Sequence, residues 1–172
     1  MERAEKKDVT WHINKEGLSN QMVAELMEEY LQRWRELGKE RKMFFLGVHP
    51  WDSLPVGELF DRISAYPGKT ITMIINIGGH FTSLIIEKNH AIYIDSFAGS
   101  LHTPDSVKKL FIRLKEKYGR VYRNRNQIQS FSSTHCGLYS VLYCAWYLMD
   151  KDKRIKIFFH RQALEKNDDL CV

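Results

Sequence analysis

The sequence is poor in the residues that staple secreted or metal-bound folds. Cysteine occurs three times in 172 residues, as Cys136, Cys144 and Cys171. An odd, sparse count argues against a disulfide framework. There is no Cys-x-x-Cys pair, and none of the seven histidines stands at zinc-like spacing from a cysteine. No structural metal site and no required cofactor are therefore expected. Long hydrophobic runs are missing as well. The longest, around Cys144, falls well short of the ~20 apolar residues that span a bilayer. The N-terminal "MERAEKKDVTW" has no apolar core, so no signal peptide is expected. Internal repeats, low-complexity tracts and linkers are also lacking. Together these absences point to an intracellular protein without a membrane partner.

The residues present suit one globular domain over 1–172. Hydrophobic residues make up 44% of the chain and charged residues 27%, enough apolar content for a sizeable core. A net charge of +5 favours acidic partners, nucleic acid included. The basic residues are nevertheless spread out. Even the dense stretch "KEKYGRVYRNRN" is as well explained by a solvated surface.

Periodicity gives the elements. In "LSNQMVAELMEEYLQRWREL" the apolar positions Met22, Val23, Leu26, Tyr30, Leu31 and Trp34 recur at helical spacing, with Ser19 as N-cap and Gly38 as stop. "MFFLGVHPWDSLP" reads as a short strand and a turn, and "VGELFDRISAYPGK" as a weak helix or loop. "TITMIINIGG", "HFTSLIIEKN" and "HAIYIDS" are β-branched, apolar and joined by tight turns, as successive antiparallel strands are. "DSVKKLFIRLKEKY" is a second amphipathic helix, with Thr103 or Asp105 near its cap. "RVYRNRNQIQ" is a further candidate strand. Residues 1–15 and 151–172 read as loose, charged ends. The fold class is α+β, with helices packed on a central, mostly antiparallel sheet.

The chemistry gathers at "NQIQSFSSTHCGLYSVLYCAWYLM". A polar loop leads into a helix that is apolar all round, hence buried. Cys136 falls in its first turn, where free N–H groups and the positive end of the helix dipole favour a thiolate. Cys144 lies two turns further into the apolar body and reads as an inert core thiol. A thiolate nucleophile needs a base and a group that orients the base. His80 follows two glycines that let backbone or substrate approach, although a histidine opening a strand is often purely structural. His49 and His90 sit in turns and are less favoured. Asp95, a carboxylate directly after four apolar strand residues, must be paired or lie at the strand end. It could equally cap the turn before "FAG". Gln129, seven residues before Cys136, could donate to an oxyanion alongside the Cys136 backbone N–H. Its neighbour Gln127 is easily confused with it.

In this order, His, Asp, Gln and then Cys at a helix start, the residues resemble those of adenain, the adenovirus-type cysteine endopeptidase. More distantly they are similar to the SUMO-specific proteases. "GGHFTSLII", "IYIDSFAG", "QSFSSTHCGLYSVLYC" and "FFLGVHPWDSLP" carry the resemblance, which covers about residues 43–150. Papain-like enzymes place Cys before His, the reverse order. The resemblance implies a buried helix carrying the nucleophile Cys136, with His80 as base, Asp95 as orienter and Gln129 as oxyanion donor. It implies substrate contacts at Gly79, Phe81 and His135. The implied reaction is peptide hydrolysis through a thioester beside small residues such as glycine, in maturation of viral capsid and core precursors. A monomer in the host nucleus or virion, with DNA as activator, would follow. No cysteine stands shortly before Gln129 to hold a peptide activator by disulfide. Phe81 replaces the family's usual Trp, and Asp95 the adenovirus Glu, although Asp is usual in the SUMO branch. The same four residues would serve a ubiquitin-like modifier isopeptidase. A non-catalytic nucleic-acid or capsid-binding module of this fold is the third reading.

Overall fold

A computed structural model describes residues 18–36, 38, 43–98, 103–124, 127, 129 and 136–149. The expectations for residues 1–15, His135, Cys171 and the C-terminal stretch lie outside these residues. In chain order the elements are α1 (Asn20–Glu36), β1 (Met43–Pro50), α2 (Val56–Ser64), β2 (Thr70–Asn76), β3 (Phe81–Glu87), β4 (His90–Ile94), α3 (Asp105–Tyr118), β5 (Val121–Arg123) and α4 (Cys136–Met149). A 3-10 turn at Trp51–Ser53 follows β1.

The strands form one sheet in sequence order. β2, β3 and β4 pair antiparallel, as their tight turns require, whereas the edge strands β1 and β5 join in parallel. Parallel neighbours need a crossover connection, which α2 and α3 supply. Both crossover helices lie on one face, burying Leu59 and Ile63 of α2 and Val107, Leu110 and Leu114 of α3 against Met73, Leu84 and Tyr93. On the other face α1 and α4 cover Ile74, Phe81, Ile85 and Ile94. The sheet is thus buried on both sides. This explains why β2 and β3 read as continuous apolar runs rather than alternating ones. Among the described residues no helix is long and apolar enough to cross a membrane.

The helix ends follow their local chemistry, with one exception. The Ser19 hydroxyl accepts from the Met22 N–H, and Gly38 turns the chain at φ 68° after α1. α3 starts between the two expected residues, with Pro104 as its N-cap, but Pro104 makes no side-chain cap bond. Proline pre-sets its own φ and lacks a side-chain acceptor, while the Thr103 hydroxyl accepts from Arg123. α4 packs unusually close to α1 at Gly137. A Cβ there would lie 3.0 Å from Val23 Cγ2 and 3.3 Å from Leu18 Cδ1. Gly137→Ala should therefore cost about 1–3 kcal/mol by overpacking, against a helix-propensity gain of at most ~1 kcal/mol. A chemical-denaturation curve checks this, and a variant as stable as wild type would contradict the close packing.

Candidate active site

The ends of β2, β3 and β4 and the start of α4 converge at one edge of the sheet. Between β2 and β3 the chain turns through Gly78 and Gly79, both at φ 88°. Residues with a Cβ rarely adopt that geometry, which explains the glycine pair. The turn is held by Asn76, whose Oδ1 accepts from the Gly79 N–H at 2.7 Å. Asn76 Nδ2 in turn donates to Asn20 Oδ1 at 2.7 Å, fixing the turn to the first residue of α1. The Ile77 N–H donates to the His80 carbonyl at 2.7 Å and closes the loop.

His80 emerges from this turn with 4% of its surface exposed. Its Nε2 lies 2.7 Å from Asp95 Oδ1, across the β3–β4 pair. An ionised carboxylate can only accept, so Nε2 carries the proton. Asp95 Oδ1 also accepts from the Phe97 N–H at 2.8 Å. The backbone of Asp95 is gripped on both sides by Asn124, whose Oδ1 takes the Asp95 N–H at 2.8 Å and whose Nδ2 donates to the Asp95 carbonyl at 2.6 Å. Phe97 stacks on the imidazole with centroids 4.4 Å apart and planes 14° from parallel. Imidazole and carboxylate are thus locked in position and orientation.

The second ring nitrogen, Nδ1, is buried and makes no hydrogen bond within the structure. It is the nitrogen left for Cys136. Burial alone would lower the pKa of the imidazole. The hydrogen bond with Asp95, the nearby Cys136 thiol and the charges of both groups outweigh it and push the value up to about 9. Cys136 opens α4 with 7% exposure, and its Sγ lies 4.0 Å from the Gly79 carbonyl oxygen. The structure therefore brings together His80, Asp95, Cys136 and Gly79, the last exposed at the surface.

Gln129 is fully buried one step away. Its N–H donates to the Ser96 carbonyl at 3.1 Å, and its Oε1 accepts from the Ser96 hydroxyl at 2.5 Å. With Oε1 claimed, Nε2 is defined as the donor end of the amide. Gln127 has a different task, donating from Nε2 to the Gln129 carbonyl at 2.7 Å. Phe81, expected at a substrate contact, is 2% exposed and packs in the α1/α4 core with Ile74, Ile85 and Cys136.

Sequence reasoning missed four supports: Ser96, Phe97, Asn76 and Asn124. The first two directly follow Asp95 in "IYIDSFAG", where a turn hides their side-chain roles. Asn124 carried no signal, being read as part of a basic strand. β5 itself stops at Arg123, which frees Asn124 to reach Asp95.

Cys144 contrasts with Cys136. It has no exposed surface, and burial pushes its thiol up to about 12, only partly offset by the nearby hydroxyls of Ser83 and Thr72. Iodoacetamide at pH 7 should label Cys136 and spare Cys144. Peptide mapping by mass spectrometry checks this, and equal labelling would contradict the assignment. Among the described residues no three His, Cys, Asp or Glu side chains converge as a metal site.

No protein-family model matches the chain, and no curated protein does. Solved structures do. An ASFV protease superposes with a TM-score of 0.65 at 20% identity, over 92% of this chain and 67% of that one. A de-sumoylating protease gives 0.53 at 18% identity, over 91% of this chain and 75% of that one. The Ulp1-like SUMO protease catalytic domain of Chaetomium thermophilum gives 0.52 at 13%, over 80% of this chain and 64% of that one. At these identities the likeness is one of fold.

Proposed function

We propose that this chain, whose fold is that of the adenain and SUMO-protease type of cysteine protease, is a thiol endopeptidase. It cleaves precursor proteins beside small residues such as glycine, as a viral maturation protease does. One observation carries the reading: His80 is bound through Nε2 to a buried carboxylate, and its Nδ1 is left open beside Cys136.

The chemistry follows from these positions. Nδ1 of His80 takes the Cys136 thiol proton, and the resulting imidazolium is held by Asp95. The thiolate attacks the substrate carbonyl carbon, and its π electrons move to oxygen. That oxyanion is met by the Gln129 side-chain amide and the Cys136 backbone N–H. The imidazolium then protonates the departing amine, leaving a thioester on Cys136. Water, deprotonated by neutral His80, attacks the thioester. Collapse of the second oxyanion releases the acid and returns the proton to sulfur. The exposed Gly78–Gly79 turn lets a substrate backbone approach without side-chain interference.

The fold shared with a de-sumoylating protease, together with an Asp at position 95, also supports isopeptidase action on ubiquitin-like modifiers. Duplex DNA as an activator rests on the net charge of +5. The deciding experiment compares wild type and Cys136→Ala on a glycine-containing precursor protein and on a fluorogenic modifier substrate. Turnover of the precursor by wild type alone supports the endopeptidase. Turnover confined to the modifier substrate favours the isopeptidase. Equal cleavage by the variant overturns both.

A further inference from the structure

Trp51 stands in the first turn after β1. Its indole is 42% exposed, one of three large hydrophobic side chains so exposed among the described residues. The others are Ile112 on α3 and Tyr122 on β5. The backbone of Trp51 is anchored: Ser106 at the start of α3 donates its hydroxyl to the Trp51 carbonyl at 2.7 Å. The residue before it, Pro50, pairs in register with Asn76, the side chain that holds the Gly78–Gly79 turn. The indole therefore reaches that turn. A Cβ built on Gly78 would lie 3.7 Å from Trp51 Nε1. One residue further on, the Gly79 carbonyl lies 4.0 Å from the Cys136 sulfur.

Indole, two side-chain-free glycines and nucleophile thus form one continuous strip of surface. Its floor is backbone and its far wall is an exposed aromatic on a fixed base. We propose that Trp51 is a specificity-determining residue, which packs an apolar or aromatic side chain of the substrate a few residues from the scissile bond. At about 3.5 Å per extended residue, a peptide seated on Cys136 and running over Gly79 and Gly78 brings its flanking side chains under the indole. The NH edge of the indole faces the glycine turn, which leaves apolar ring surface for the substrate. A rigid aromatic on an anchored base gives contact area at little cost in conformational entropy. This inference rests on the peptidase reading above.

The test uses peptides with one glycine cleavage site and a single Phe moved along the flanking positions. In wild type, one position should improve kcat/KM by about tenfold, chiefly through KM. Trp51→Ala should remove that preference with kcat nearly unchanged. Trp51→Phe should keep most of it, and Ile112→Ala should match wild type. A preference intact in Trp51→Ala overturns the proposal while leaving the peptidase reading untouched. A second measurement does not depend on turnover. In Cys136→Ala, the best peptide should shift indole fluorescence, and the shift should vanish when Trp51→Phe is added. If that shift persists without Trp51, the proposal is wrong, whether or not the wild type cleaves.

Discussion

Asp95→Asn should lower kcat/KM by about 10²–10⁴-fold, the range typical of a disabled base system. It should also move the alkaline limb of the pH profile. His80 is held at a pKa of about 9, against the pull of burial, by its hydrogen bond with Asp95, the nearby Cys136 thiol and the charges of both. The reacting form carries the imidazolium that later protonates the leaving amine. The kcat/KM of wild type should therefore fall as pH rises through about 9. Without the carboxylate charge, burial of His80 works unopposed on that side, and the limb should move toward lower pH. The side chains are nearly isosteric and Asn can still accept from the Phe97 N–H, so the fold should survive, as thermal unfolding would show. An unchanged pH profile in Asp95→Asn would sink the role given to this carboxylate. Initial rates across pH 5–10 on a glycine-site peptide are the measurement.

The second large effect is at Gln129. Gln129→Ala should cost about 10²–10³ in kcat with little change in KM, as removal of one oxyanion donor does elsewhere. Ser96→Ala should act in the same parameter by a smaller factor. Ser96 acts through Gln129: its hydroxyl donates to Oε1, which leaves Nε2 as the donor end of the amide. A role confined to packing would instead lower stability and leave kcat per folded molecule unchanged. Folded fraction by circular dichroism, set beside kcat, separates the two. If Gln129→Ala retains wild-type kcat, another group stabilises the oxyanion.

The parts that were legible in the sequence are those with local signatures. Helical periodicity marked α1 and α3, and paired glycines marked the turn before His80. The step from polar loop to apolar run located Cys136 at the start of α4. The difference between Cys136 and Cys144 was legible for the same reason, since position along one helix sets exposure. What stayed hidden depends on distant pairing. The parallel joins of β1 and β5 need crossovers that no window of adjacent residues displays. The clamp of Asn124 on Asp95 joins residues 29 apart. Phe81 gave no local sign that it would be buried. Its facing is set by the alternation of β3 beneath α4, which also directs the Ser83 hydroxyl to the Ser140 carbonyl of that helix.

The close seat of α4 on α1 at Gly137 also bears on how activity arises in time. Base and carboxylate belong to one local hairpin, β3–β4, whereas the nucleophile rides on the last described helix. That helix must dock between α1, from the start of the described chain, and the sheet. During synthesis from the N-terminus the hairpin can form early, but the thiol cannot reach it until the ends of the domain have met. A half-made chain then carries an oriented histidine with nothing to deprotonate. On the peptidase reading, cutting power would appear in one step with completion of the fold, leaving little opportunity for damage to unfinished neighbours.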